Sequence, residues 1–156
     1  MLFLEILIFI VVVAFMANGY RAGGVETLGR VLGSILGFVI ARKFAGALVG
    51  VLAFFIPPTW AYLISFIVIF LLVGYLIGTL FSLAGKLLKI FTRLPIVKQI
   101  NNIAGLFLGF IEAVIVLGGT SWLLQQSSGV AAQSFTDLIV VKFLSAIFSN
   151  VILRLL

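Results

Sequence analysis

The stretch IAGLFLGFIEAVIVLGGTSWLL, residues 103–124, contains 22 residues and a single ionisable side chain, Glu112. A helix of this length crosses the ~30 Å hydrocarbon core of a bilayer. An ionised carboxylate near the centre of such a helix costs about 3 kcal/mol on insertion scales, so these groups usually face a partner, a bundle interior or water. The stretch therefore predicts a membrane-spanning helix whose Glu112 side chain points away from lipid.

The rest of the chain has a similar composition. Of its 156 residues, 64% are hydrophobic and only 9% are charged, and the apolar residues extend from end to end. No polar stretch is long enough to fold by itself. This composition predicts an all-α integral membrane helical bundle that forms one domain, residues 1–156.

The residue types that are missing limit the possible chemistry. The chain has no Cys and no His, which excludes disulfides and thiolate sites and removes the commonest metal ligand and general base. We therefore expect no enzymatic activity, no cofactor and no metal site.

The net charge of +6 raises the possibility of a nucleic acid partner. However, the basic residues are scattered among apolar spans and are not gathered on one soluble face. We therefore predict no nucleic acid partner and expect the basic side chains to contact a bilayer with anionic headgroups.

Four membrane spans are predicted, at about residues 2–17, 25–43, 59–85 and 102–124. The first resembles a signal peptide, but Glu5 stands where a positive leader is expected, so we interpret it as a retained span. The glycines that follow Asn18 provide the first turn.

The uncharged run at residues 44–85 is interrupted by Pro57 and Pro58, which cannot continue a helix interior. As a helix, residues 44–56 would be about 20 Å long, too short to span the bilayer. This segment is predicted to be interfacial or re-entrant.

Two further segments are predicted to lie near the membrane surface. Residues 86–94 form an amphipathic stretch. Together with Lys98, four residues beyond it, the stretch supplies four side chains for lipid headgroups: Lys86, Lys89, Arg93 and Lys98. The apolar C-terminal helix, residues 135–156, carries Asp137, Lys142 and Arg154. It is either interfacial or a fifth span.

The distribution of basic residues also predicts the orientation of this multi-pass chain. With four spans, the loops after the first and third lie on one side, together with Arg21, Arg30 and the four basic residues just named. The positive-inside rule places this side in the cytoplasm and the N-terminus outside.

Glycines recur at intervals of four in three predicted spans. Such spacing removes side-chain bulk from one helix face and allows a neighbouring backbone to approach closely. We expect these faces to pack helices within one chain, with assembly of a homo-oligomer as the alternative. The glycines are Gly29, Gly33, Gly37, Gly74, Gly78, Gly105 and Gly109.

Two segments resemble the colicin V production protein (CvpA) family. They are NGYRAGGVETLGRVLGSILG, residues 18–37, and NNIAGLFLGFIEAVIVLGG, residues 101–119. The first is similar to a glycine-aromatic-basic turn followed by a glycine-spaced helix, and the second to the family's fourth helix. The matching positions are the turn residues Gly19, Tyr20 and Arg21 and the helix glycines Gly33, Gly37, Gly105 and Gly109.

The resemblance implies a bacterial inner-membrane protein of about four helices. It implies a role in bacteriocin (colicin V) production or export, or in envelope homeostasis, without a known reaction. A membrane-protein partner or a homo-oligomer is expected.

Arg30 and Glu112 are predicted to pair within the membrane. If the second and fourth spans both run outward, the two residues differ in depth by about 4 to 8 Å at 1.5 Å per residue, which a long guanidinium can bridge. The pair is interpreted as structural, fixing the register of two helices. Two alternatives remain: a small oligomeric channel or transporter with both residues lining its path, and a neutral, protonated Glu112.

Overall fold

The computed structural model describes residues 2–88, 95–125, 133, 135–152 and 154 of the chain. All regular elements in this part are helical: α1 Leu2–Ala22, α2 Gly24–Leu52, α3 Pro58–Leu88, α4 Pro95–Gln125 and α5 Ile139–Ile147, the last followed by a π-helical turn at Phe148–Ile152. The first four are long and apolar enough to cross a membrane. The prediction of an all-α membrane bundle is confirmed.

Helix α4 lies at the centre of the bundle. It packs against α1 on one side and against α2 on another, and α3 packs along α2. We call the end of the bundle that contains Gly23 and Asn101 the Gly23 end, because these residues meet there. The opposite end, where α2 turns into α3, is the Pro57 end.

The sequence suggested a first turn directly after Asn18, but the structure places the turn farther along the chain. Helix α1 continues through Gly19 to Ala22, and the chain reverses at Gly23, whose φ of +88° suits glycine. The amide of Gly23 still donates a helical hydrogen bond of 2.9 Å to the carbonyl of Gly19. Gly19, Tyr20 and Arg21 therefore form the last turn of α1 instead of a connecting turn.

The separate segment expected at residues 44–56 is also corrected. Helix α2 passes through Lys43 without a break and ends at Leu52, followed by a tight turn before Pro58. The helix continues because its buried face continues: Ala41 and Ala45, one turn apart, are both fully buried. The structure therefore forms one long helix where a second span and a separate interfacial or re-entrant segment were predicted.

The connection between α3 and α4 bears on the predicted amphipathic stretch. Residues 89–94 lie outside the described residues, so the stretch at 86–94, including Lys89 and Arg93, lies largely outside them. Lys86 belongs to α3, and Pro95 is the first described residue of α4.

Glycines allow α2 and α3 to approach closely. A Cβ atom built on Gly33 would lie 2.9 Å from the carbonyl oxygen of Gly74, and one on Gly37 would lie 2.9 Å from that of Phe70. A Cβ on Gly29 would collide with the side chain of Phe81. The glycine face of α2 therefore packs against α3 within the chain.

The α4 glycines pack against α1. A Cβ on Gly105 would collide with the carbonyl oxygen of Gly19, and one on Gly109 would collide with that of Phe15. Because lipid solvates an apolar helix as well as another helix does, such close contacts hold membrane helices together. Gly19, predicted as a turn residue, is therefore part of the α1–α4 interface.

Helix α5 lies across the bundle near the Pro57 end. Its first amide, that of Ile139, donates a hydrogen bond of 3.2 Å to the carboxylate of Glu5 in α1. Farther along, Phe148 packs edge-on against Phe38 of α2, with ring centroids 5.1 Å apart, and contacts Gly118 of α4. The C-terminal segment thus crosses α4 from α1 to α2, and its position relative to the bilayer, interfacial or a fifth span, stays a prediction.

We predict that Gly105→Ala destabilises the bundle by about 1 to 3 kcal/mol, the usual cost of overpacking. The added methyl group would collide with the α1 backbone, which cannot move aside as a flexible side chain can. The control is Gly46→Ala, because a Cβ there meets nothing within 4 Å. Thermal unfolding in detergent micelles measures both, and equal midpoints for the two variants would contradict the predicted interface.

Candidate functional site

Arg30 and Glu112 form an ion pair between α2 and α4. The Nε of Arg30 donates to Oε2 of Glu112 at 3.1 Å. The Glu112 side chain is 10% exposed and that of Arg30 is 27% exposed. The structure thus brings together the two charged residues whose depths the sequence had matched.

Two contacts on either side of the pair set the register of α2 against α4. Toward the Gly23 end, a Cβ on Gly24 would lie 3.0 Å from the Cβ of Ala104. Toward the Pro57 end, a Cβ on Gly119 would lie 3.4 Å from the ring of Phe38. Arg30 lies between these contacts, so the ion pair forms where two helices are already held together.

The stem of Arg30 passes beside α3. A Cβ built on Gly78 would lie 3.9 Å from Cγ of Arg30, and among the described residues no other atom outside its own helix lies within 4 Å of it. The glycine therefore leaves space beside the arginine. The predicted Gly74–Gly78 face serves two purposes here, since Gly74 packs against α2 and Gly78 borders Arg30.

Only part of the Arg30 guanidinium is used. Arginine has five N–H donors, and among the described residues only its Nε has a hydrogen-bond partner, the Glu112 carboxylate. The pair is therefore not the two-bond fork that arginine and a carboxylate often form. Its terminal nitrogens are available to a further acceptor.

The last turn of α1 is joined to the start of α2 by a buried threonine. The hydroxyl of Thr27 donates to the carbonyl oxygen of Gly23 at 2.8 Å and lies 3.3 Å from that of Gly19. Tyr20 and Arg21 are exposed at the surface of this turn. Gly19 is thus a packing residue, whereas Tyr20 and Arg21 are available to lipid or to a partner.

The structure places the predicted headgroup residues unevenly. Lys98 lies in α4 and is exposed. Lys89 and Arg93 are outside the described residues, and the side chain of Lys86 is outside them as well. The headgroup role of these residues stays a prediction.

An aromatic cluster around Phe38 is a feature that the sequence reasoning missed. The Phe38 ring is 2% exposed and lies edge-on to Phe66, Trp122 and Phe148, with centroids 5.1 to 5.6 Å apart. The guanidinium carbon of Arg42 lies 5.3 Å from the Trp122 ring centroid, within cation–π range. One sequence pattern could have indicated this cluster: Arg30, Phe38 and Arg42 are spaced by multiples of four along α2, and all three lie on its α4-facing side.

The arrangement provides one guanidinium and one carboxylate but no nucleophile beside a base. In the part of the chain that the structure describes, no group of three or more His, Cys, Asp or Glu residues could hold a metal ion. The chemistry available is ion pairing and hydrogen bonding to an anionic or polar group.

A comparison with known protein families decides the relationship. The family model described as colicin V production protein matches residues 4–151. The chain belongs to the colicin V production protein family. The match includes all four long helices, α5 and both members of the ion pair, and it confirms the resemblance seen in the two glycine-spaced segments. No curated protein and no solved structure matches the chain significantly.

For this family member, we predict that Glu112→Gln and Arg30→Gln each lower the amount of folded protein in the membrane. Removing one partner leaves the other charge without its bond, at a cost of about 1.5 to 3 kcal/mol for a hydrogen bond to a charged group. The double variant Arg30→Glu with Glu112→Arg should recover much of the loss. Immunoblotting of membrane fractions and thermal unfolding measure the effect.

The control for these variants is the exposed pair Lys142–Asp137, whose atoms also lie 3.1 Å apart. Lys142→Gln should change accumulation little, because exposed ion pairs contribute about 0 to 1 kcal/mol. Full accumulation of both single variants of the buried pair would rule out a structural role for it.

Proposed function

We propose that this family member is a non-enzymatic accessory protein of the bacterial inner membrane. It acts in colicin V production or export, or in envelope homeostasis, through a membrane-protein partner or a second copy of itself. The family match over residues 4–151 supports the link to colicin V production.

The observation that carries the accessory role is the ion pair. Arg30 and Glu112 bond to each other within the bundle, with Glu112 nearly inaccessible. Transport sites in membrane proteins usually bring several polar groups together around a substrate. A single ion pair that joins two helices is more typical of a structural element.

The proposed orientation places the Gly23 end in the cytoplasm and the N-terminus outside. The exposed basic residues Arg21 and Lys98 lie toward the Gly23 end, as the positive-inside rule requires for a cytoplasmic face. Anionic lipid would attract them by about 1 kcal/mol for each basic residue near the surface.

Single cysteines test this orientation, because the natural chain contains none. In spheroplasts, a membrane-impermeant maleimide should label Phe55→Cys at the Pro57 end, where Phe55 is 84% exposed. It should label Lys98→Cys only after lysis. The reverse pattern would show the opposite orientation.

A second candidate function is a small oligomeric channel or transporter. The observation in its favour is the 27% exposure of the Arg30 side chain, with terminal nitrogens that have no partner among the described residues. In an oligomer, such groups could line a path for an ion or a polar solute.

Reconstituted liposomes separate the two functions. We expect no flux of ions or small solutes above that of empty liposomes, and we expect cells lacking the protein to show impaired colicin V secretion or increased detergent sensitivity. The double variant Arg30→Glu with Glu112→Arg should restore these cellular functions, because it preserves the pair. Flux that Glu112→Gln abolishes would instead establish the channel or transporter.

A further inference from the structure

A cleft opens between α3 and α4 in the half of the bundle nearer the Pro57 end. Its walls are α3 from Trp60 to Phe70 and α4 from Ile115 to Leu124, and Phe38 of α2 lies at its floor. Its volume is about 270 Å³. Helix α3 packs along α2, and among the described residues it makes little contact with α4, which leaves space between α3 and α4.

The lining of this cleft is apolar almost throughout. Thr120 is its one hydroxyl-bearing residue among the described residues, and that hydroxyl already donates to the carbonyl oxygen of Val116 at 2.6 Å. Water needs two to four polar partners in such a space, and the cleft does not supply them. A bilayer does supply a suitable occupant, which is an acyl chain.

Two glycines of α3 lie between the cleft and Arg30. On α3 the lining of the cleft ends at Phe70, and Gly74 and Gly78 follow at intervals of four. Gly74 is packed against the Gly33 backbone of α2, whereas a Cβ on Gly78 would lie 3.9 Å from Cγ of Arg30. Both glycines are half-buried and add no side chain on this stretch of α3. From Phe38 to Arg30 the distance along α2 is about 12 Å at 1.5 Å per residue, so a cationic group lies about two helical turns from an apolar cleft.

Charge complementarity identifies the kind of lipid. The terminal nitrogens of Arg30 have no partner among the described residues, and guanidinium groups bind phosphate through parallel hydrogen bonds. A long arginine side chain can also extend from the membrane interior toward the headgroup level. Arg21 and Lys98, exposed toward the same end, add positive charge that favours an anionic headgroup.

We propose that the α3–α4 cleft binds one anionic phospholipid from the leaflet at the Gly23 end, with its phosphate at Arg30 and one acyl chain in the cleft. Arg30 keeps Nε on Glu112 and directs its terminal nitrogens to the phosphate. The acyl chain passes over Gly78, enters the cleft at Phe70 and runs toward Trp60. This site goes beyond the accessory role proposed above and does not depend on it.

The test uses photoreactive phosphatidylglycerol, with the reactive group in its acyl chain, and the full-length protein in nanodiscs. Cross-linked residues are mapped by mass spectrometry. We expect labelling to concentrate on the cleft walls, for example at Val116, and to be several times weaker at Leu72, which is 60% exposed on another face of α3. Excess phosphatidylglycerol should compete better than excess phosphatidylethanolamine.

Three variants test the two parts of the site. Val116→Trp should fill the cleft and remove its labelling, whereas Leu72→Trp, the matched control, should not. Arg30→Gln should reduce the preference for the anionic lipid about fivefold, the change expected for losing one basic contact worth about 1 kcal/mol. Arg30→Lys should keep most of that preference because it keeps the charge.

A further variant tests the proposal even if the Arg30 variants misfold, because it keeps both Arg30 and Glu112. Gly78→Leu removes neither charge of the ion pair and adds bulk between Arg30 and the cleft. A Cβ there lies 3.9 Å from Cγ of Arg30, so accumulation in the membrane equal to that of the natural chain is the check that the pair is kept. Gly78→Leu should lower cleft labelling as Val116→Trp does. The proposal is overturned by even labelling of all exposed helix faces, by unchanged labelling in Gly78→Leu, by equal competition from both lipids, or by cross-links from the cleft to protein instead of lipid.

Discussion

Close approach of helix backbones is the constraint on which the rest of this bundle depends. In lipid, moving an apolar side chain from acyl chains to another helix gains little free energy. Helix association therefore depends on close van der Waals packing between complementary surfaces. Glycine supplies it at two interfaces: Gly33 meets Gly74 between α2 and α3, and Gly105 meets Gly19 between α1 and α4. Helices α2 and α4 meet at glycines as well, Gly24 with Ala104 and Gly119 with Phe38, and between these contacts lies the ion pair.

The ion pair follows from that arrangement. The α3-facing side of α2 is occupied by small residues, so its larger side chains, including Arg30 and Phe38, are turned toward α4 or toward the gap between α3 and α4. Glu112 occupies the matching level of α4, where the register is fixed by contacts above and below. A buried pair costs desolvation and adds little net stability by itself. The pair instead favours one register of α2 against α4, because a shift of either helix by one turn would separate the charges.

Much of this fold is predictable from the chain, and the errors have a common origin. Composition and run length locate four spans, and a rise of 1.5 Å per residue is enough to match Arg30 with Glu112. Glycine spacing identifies packing faces but carries no information about the partner helix, so the contact between Gly105 and Gly19 was not foreseen. Gly19 was predicted to be a turn residue because glycine often ends a helix in water. In a membrane, a glycine can remain inside a helix and pack against a neighbouring helix. The extent of α2 depended likewise on contacts of Ala41 and Ala45 with other helices, which lie beyond any local pattern.

The chemistry along the gap between α3 and α4 also bears on how the pair is used. A path for ions through one chain would have to continue from Arg30 toward the Pro57 end, past Phe38. There, the described residues offer packed aromatic rings and one hydroxyl already bonded to its own helix. A desolvated ion loses several kcal/mol or more in such surroundings, whereas an acyl chain loses nothing. With apolar walls and a cationic group about two helical turns away on α2, the cleft therefore matches an amphiphile better than a conducted ion, and conduction would require walls supplied by further copies of the chain.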